Sequence, residues 1–304
     1  MVANYKLCMS KSILITGSEG QLGKSIYNAL HDKFKVLPTS RSLSNNLDSN
    51  YLDITDKDNV QKILSKFKPD ILINCAAFTN VDKSETNKSL AHMINVKGMK
   101  NIIDCSLSST HIIQISTDYV FDGCNSPYKE NDMTYPINYY GKSKLEAENV
   151  LRGSRKKWTI LRPNVLFGCD LTSNANFLGW IYKSLNDNNP ITVVDDQISN
   201  PTFINDMVNA IFQTIIMSYE GILHIGSDNY LSRFEFARQF ADIFNFNLKL
   251  INPISTKELS LINKKYKAKR PLNSSLSIEK VEQELNINMH STKFSLERIK
   301  QFIN

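Results

Sequence analysis

The sequence predicts a doubly wound α/β fold: a parallel sheet covered by helices on both faces, followed by a smaller C-terminal lobe. Three observations carry this. Short β-branched runs alternate with amphipathic ones between residues 12 and 162, a glycine-rich turn links the first strand to the first helix, and the rhythm loosens after Gly168. Strands alternating with helices require right-handed crossovers and therefore a parallel sheet. The first unit is expected over 12–168 and the second over 169–304, with some segments of the second returning to the first.

The elements follow from their spacing. Ser12–Thr16 (SILIT) reads as a buried strand, and residues 21–33 as a helix with Leu22, Ile26 and Leu30 on one face. Residues 35–38 form a second strand, and 60–67 a helix stopped by Pro69. The apolar run 70–76 is the next strand. A long helix is expected over 89–107, a strand over 111–116, a helix over 143–151 and a strand over 159–162. Beyond Gly168, helices are expected over 177–185, 204–216, 233–244 and near the C-terminus. Strand pieces are expected at 191–194, 221–225 and 248–251.

Composition narrows the function classes. Of 304 residues, 41% are hydrophobic and 22% charged, the balance of a globular protein with a sizeable core. The longest apolar runs are far short of a membrane span, and the opening MVANYKLCMSK lacks the apolar segment of an export signal. A cytoplasmic protein is expected. The net charge of +6 is scattered, densest at 264–271, and forms no nucleic-acid module; a mild positive field suits an anionic small molecule. Five cysteines (Cys8, Cys75, Cys105, Cys124, Cys169) show no CxxC or His-paired spacing, so neither a disulfide framework nor a metal site is expected.

The turn GSEGQLG places Gly17, Gly20 and Gly23 three apart, with Gln21 and Leu22 opening the helix. Without side chains there, backbone amides reach a pyrophosphate and the helix N-terminus adds partial positive charge. A Rossmann-type fold with a dinucleotide site is therefore expected, although the spacing is GxxGxxG and a ligand-free tight turn is the alternative. The second strand ends at Arg41, where an acid would select a 2′-hydroxyl; a guanidinium favours a 2′-phosphate, hence NADPH, with NADH acceptance left open. Asp53 and Ile54 follow the short third strand, near the expected adenine.

STDYVFDG (116–123) ends an apolar strand, on the edge where doubly wound sheets bind ligands. YGKSK then sets Tyr140 and Lys144 one helical turn apart on one face. A phenol is a poor acid–base group at neutral pH; an ammonium beside it is expected to lower its pKa.

Glycine turn, strand-end Thr117 and YxxxK in this order resemble the extended short-chain dehydrogenase/reductases. AAFTNVDKSE (76–85), YYGKSKLEAE (139–148), VVDDQISNPT (193–202) and KRPLNSSLSIEK (269–280) are similar to successive signatures of the dTDP-4-dehydrorhamnose reductase family, over nearly the whole chain from Ser12. The resemblance implies NADPH-dependent reduction of the C4 ketone of dTDP-4-dehydro-β-L-rhamnose to dTDP-β-L-rhamnose. Tyr140 would be the general acid, Lys144 its tuner, and Thr117 the group polarising the ketone. Ala76, Ala77, Thr79 and Pro163 would join the glycines in holding the cofactor. Val81, Asp82, Asp118, Asn164 and Arg270 would meet the nucleotide-sugar substrate, Arg270 at its diphosphate. The second unit would be mainly a substrate-binding lobe, and homodimer formation is left open.

Two departures stand out. The family usually reads RTxWVYG where this chain has RPNVLFG (162–168), so Val165 replaces an aromatic residue; and Arg41 leaves the cofactor preference to be tested. Two other functions remain. One is a bifunctional 3,5-epimerase/4-reductase on a UDP- or dTDP-linked sugar, whose relatives use a cysteine where Tyr119 stands. The other is a non-catalytic NADP-binding regulator like the regulatory subunit of methionine adenosyltransferase.

Overall fold

The computed structural model describes residues 10–42, 49–171 and 176–303; Cys8 and most of the N-terminal stretch read above lie outside them. The first half follows the predicted alternation: β1 (Ser12–Thr16), α1 (Gln21–Leu30), β2 (Lys35–Ser40), β3 (Asn50–Tyr51), α2 (Lys57–Phe67) and β4 (Ile71–Asn74). Next come α3 (Val81–Thr86), α4 (Lys88–His92), a π turn (Met93–Lys97), α5 (Gly98–Cys105), β5 (His111–Ile115), α6 (Tyr139–Arg152), β6 (Lys157–Pro163) and β7 (Leu166–Phe167). The long helix expected over 89–107 is therefore interrupted. The π turn inserts an extra residue per turn, which a periodicity of apolar positions does not reveal.

The second half contains α7 (Phe177–Asn186), β8 (Ile191–Val194), β9 (Ile198–Ser199), β10 (Thr202–Phe203), α8 (Ile204–Met217), β11 (Gly221–Ile225) and β12 (Leu231–Ser232). It ends with α9 (Arg233–Ile243), β13 (Ile251–Ile254), α10 (Thr256–Ile262), α11 (Glu279–Leu285) and α12 (Thr292–Ile303). Leu248–Leu250, expected to start a strand, forms a 3₁₀ turn under the side-chain cap of Asn247, and the strand begins at Ile251.

Among the described residues seven strands form one sheet in the order β3-β2-β1-β4-β5-β6-β11, all pairs parallel. The chain reverses direction between β1 and β4, which opens a crevice at their carboxyl ends. Ile13, Leu14 and Ile15 are fully buried, as a strand covered on both faces requires. Each such side chain contributes about 1.5–3 kcal/mol. One face packs on α1 and α8 and the other on α2, α5 and α6. β11, far along the chain, pairs with β6 and closes the sheet edge.

A separate apolar cluster joins Phe167, Leu178, Ile181, Phe236, Phe240 and Leu296. The phenylalanine-rich α9 lies within it, as its helical spacing predicts. Among the described residues no helix is long and apolar enough to cross a membrane. No group of three or more His, Cys, Asp or Glu among them is placed to hold a metal.

Candidate active site

The glycine turn lies at the crevice. Gly17 has φ +66°, and a Cβ there would stand 2.9 Å from the Ala76 amide nitrogen, so the β1 turn and the residues after β4 meet backbone to backbone. A Cβ on Gly23 would fall 2.4 Å from the Gly17 carbonyl oxygen. Gly20 is the N-cap of α1 and supplies no side-chain acceptor, which leaves the first-turn amides to an anion. Gln21 Nε2 is buried with no hydrogen-bond partner among the described residues. An uncapped helix start and an unpaired donor fit a dinucleotide pyrophosphate. Leu22 is buried beneath the turn.

The adenosine end is less open than expected. Arg41 is exposed just after β2, where Ser40 is buried. The Asp53 carboxylate accepts from the Thr55 amide (2.9 Å) and hydroxyl (2.8 Å), shaping its own turn. Ile54 is buried, and a Cβ on Gly98 would strike it at 2.5 Å. Ala76 and Ala77 are half-buried and Thr79 is exposed. Asn95, in the π turn, grips this loop: its Oδ1 accepts from the Phe78 amide (2.8 Å) while Nδ2 donates to Ser143 Oγ (2.8 Å). The interrupted helix thus ties the cofactor side to α6.

α6 begins at Tyr139, four residues before the expected start. Asn138 Oδ1 accepts from the Gly141 amide (2.8 Å) and Glu85 Oε1 from the Tyr139 amide (2.7 Å), so two side chains cap the helix. A Cβ on Gly141 would fall 2.1 Å from the Tyr119 carbonyl oxygen. Only a residue without a side chain lets α6 press onto the turn after β5. That contact brings Tyr140 to Thr117, whose hydroxyl faces the phenol.

The electrostatics correct one expectation. Burial pushes the Tyr140 phenol well above its ordinary range; the Thr117 hydroxyl opposes this, and Asp118 and Tyr119 add to it. The predicted lowering by Lys144 is not found, because its ammonium is turned to the Ile115 carbonyl oxygen at 2.6 Å. Burial pulls Lys144 itself down to about 8, with the Glu148 carboxylate working to keep it charged. Glu148, one further turn along α6, is fully buried. It accepts from Ser116 Oγ and takes both arms of Arg162, Nε at 3.0 Å and Nη2 at 2.7 Å. Sequence reading passed over Gly141 and Glu148; the i, i+4 step from Lys144 to Glu148 was the available signal.

The residues expected to meet the substrate are heavily bonded. Asp118 is buried; Thr117 Oγ1 donates to its Oδ1 (3.0 Å) and Ser274 Oγ to its Oδ2 (2.6 Å), and burial pushes its carboxyl up to about 6. Asn164 spends Nδ2 on the Ser274 carbonyl oxygen (3.0 Å) and Oδ1 on the Val165 amide (2.8 Å). Pro163, at the end of β6, is buried beside it. Arg270 does not stand open for a diphosphate. Its Nη2 reaches Asp82 Oδ2 at 2.6 Å and its plane lies 4.0 Å from the Tyr266 ring centroid. Val81 opens α3 next to Asp82, half-buried.

The family described as RmlD substrate binding domain matches residues 11–303. The dTDP-4-dehydrorhamnose reductase of Aggregatibacter actinomycetemcomitans is 34% identical over 305 residues, covering 95% of this chain and 98% of that one. The chain belongs to the dTDP-4-dehydrorhamnose reductase family. The crystal structure of the family's Bacillus anthracis (str. Ames) member in complex with NADP superposes with a TM-score of 0.87 at 31% identity, covering 96% of this chain and 99% of that one. Methionine adenosyltransferase 2 subunit beta of Xenopus laevis is 27% identical over 282 residues, 90% of this chain and 82% of that one. The crevice at the β1/β4 reversal and the glycine turn thus lie on this family's fold.

Proposed function

We propose that this chain reduces the C4 ketone of dTDP-4-dehydro-β-L-rhamnose to dTDP-β-L-rhamnose, with NADPH as cofactor. The supporting observation is the meeting of the Thr117 hydroxyl and the buried Tyr140 phenol above a buried Lys144, at the sheet edge that carries the uncapped glycine turn. When bound, the reduced dinucleotide supplies the hydride.

The chain's own residues supply the rest. Tyr140, kept protonated by burial, gives its proton to the oxygen at C4 as charge develops there. The Thr117 hydroxyl, turning its single proton from Asp118 Oδ1, would donate a hydrogen bond to the same oxygen. Lys144, whose ammonium donates to the Ile115 carbonyl oxygen, would hold the nicotinamide ribose of the cofactor through its positive charge. Arg41 at the end of β2 would hold a 2′-phosphate, and the α1 amides the pyrophosphate. The dual-activity reading lacks its acid: Tyr119 packs edge-on to Tyr140 with ring centroids 6.1 Å apart, and Cys124 is exposed on the following loop.

The test is Tyr140→Phe. Turnover of the 4-keto sugar should fall by roughly 10²–10⁴-fold while the NADPH dissociation constant stays near wild type. Unchanged turnover removes Tyr140 from the mechanism. Running the assay with dTDP- and UDP-linked 4-keto-6-deoxy sugars, with and without a separate epimerase, checks the nucleotide and the absence of epimerisation.

A further inference from the structure

Two guanidinium groups send their fields to Tyr119, the ring that packs on Tyr140: Arg233 most strongly, then Arg270. They differ in what else they hold. Arg270 is bound to both oxygens of Asp82, at 3.2 Å through Nη1 and 2.6 Å through Nη2. Its charge is met, and Asp82 also accepts from the Lys267 and Ala268 amides. Arg233 has no carboxylate within ion-pair distance among the described residues. It is half-buried at the start of α9, with its guanidinium 4.9 Å from the centroid of the Phe177 ring. A cation held on an aromatic face and short of a counter-charge is poised for an anion.

Its surroundings strengthen the case. Arg233 lines a small pocket with Val165, Phe177, Ser199, Pro201 and Phe236. Among the residues lining this pocket Arg233 is the one charged side chain. The field of Arg233 also reaches buried Asp118, whose two oxygens are bonded to Thr117 and Ser274 rather than to the guanidinium.

We propose that Arg233, standing beside Val165 and stacked on Phe177, grips the diphosphate of the nucleotide-sugar substrate and sets the enzyme's preference for a nucleoside-diphosphate-linked sugar. The inference rests on the reductase function proposed above and assigns the diphosphate to Arg233 in place of Arg270. As a ground-state contact remote from C4, it raises affinity without changing the chemical step.

The test compares Arg233→Gln, Arg233→Lys, Arg270→Gln and, as a surface control on the same helix, Arg238→Gln. Calorimetric titration uses dTDP, thymidine and NADPH as probes. Arg233→Gln should weaken dTDP by about 10- to 100-fold, the usual span for a lost charge-assisted contact. Thymidine and NADPH should bind as to wild type, and KM for the keto sugar should rise with kcat kept. Arg233→Lys should recover part of the loss and Arg238→Gln should show none. Unchanged dTDP binding in Arg233→Gln overturns the inference, as does a loss confined to Arg270→Gln. Weakened NADPH binding would put Arg233 at the cofactor's phosphates and also overturn it. A wild-type protein that binds NADPH but neither dTDP nor UDP overturns the proposed function, and this assignment with it.

Discussion

Replacing Glu148 by Gln separates electrostatic tuning of the site from its architecture. Lys144 sits at about 8 because burial strips water from its ammonium while Glu148 partly compensates. Residues four apart on a helix are neighbours, and an opposite charge at such range moves a pKa by about 1–3 units. The two arms of Arg162 already neutralise much of Glu148, so the low end applies: roughly one unit. Sign follows from Lys144 being cationic below its pKa. Removing the carboxylate lowers that pKa, so the alkaline limb of the reductase profile should move from near pH 8 towards roughly pH 7. At pH 8 the charged fraction, and with it kcat/KM, should fall roughly fivefold; at pH 6 the two enzymes should nearly coincide. Other groups facing Lys144 do not confuse the reading, since burial pushes Cys75 up to about 12 and Tyr140 far above neutrality. Asp118, at about 6, gives an acid limb that should stay in place. The Gln amide also turns a donor towards Arg162 Nη2, costing about 1.5–3 kcal/mol and lowering Tm by roughly 2–5 °C for a chain of this length. The assay is NADPH oxidation at 25 °C from pH 5.5 to 9.5, beside thermal unfolding. An alkaline limb that stays put, or moves to higher pH, while Tm falls would show that Glu148 is structural only.

Two further substitutions test positioning and cofactor choice. Gly141→Ala puts a methyl 2.1 Å from the Tyr119 carbonyl oxygen, so α6 must lift from the β5 turn; kcat should fall at least about tenfold with NADPH affinity retained, and a full-rate variant would refute the close-approach argument. Arg41→Ala should raise KM for NADPH by about 10- to 100-fold and leave KM for NADH unchanged, measured by initial rates with each; equal losses would mean that Arg41 does not read a 2′-phosphate.

What the sequence disclosed was whatever is local. SILIT and the apolar run before Cys75 announced buried strands because both faces are covered, and the glycine turn and YxxxK announced themselves by spacing. Asn138 and Glu85 extended α6 back to Tyr139 because one cap lies a residue away and the other comes from a different helix, which periodicity does not contain. The Arg270–Asp82 pair joins residues 188 positions apart, so each read as an open substrate ligand when taken alone. Lys144 was expected to lower the phenol because sequence spacing gave proximity, but not the direction of its ammonium, which Ile115 claims.

Distant contacts also explain why the residues that resemble the family's substrate ligands lie where they do. The segment from Lys269 to Ser277 accepts from Asn138 at Lys269 (2.9 Å) and from Asn164 at Ser274 (3.0 Å). It donates from Ser274 to Asp118 (2.6 Å) and exchanges two bonds with Asn200 at Leu276. Tyr128 joins it on both sides through Ser275 and Ser277. One strand of chain is thus pinned to the start of the catalytic helix, the turn bearing Thr117, the end of β6 and the NPT segment together. Asp118 and Asn164 spend their hydrogen bonds on this joint, and Arg270 spends its charge on Asp82. Their side chains fix the shape of this wall of the crevice by holding it together. With Asp118, Asn164 and Arg270 spent in this way, the proposed contact to the substrate diphosphate falls to Arg233, which has no carboxylate within ion-pair distance among the described residues.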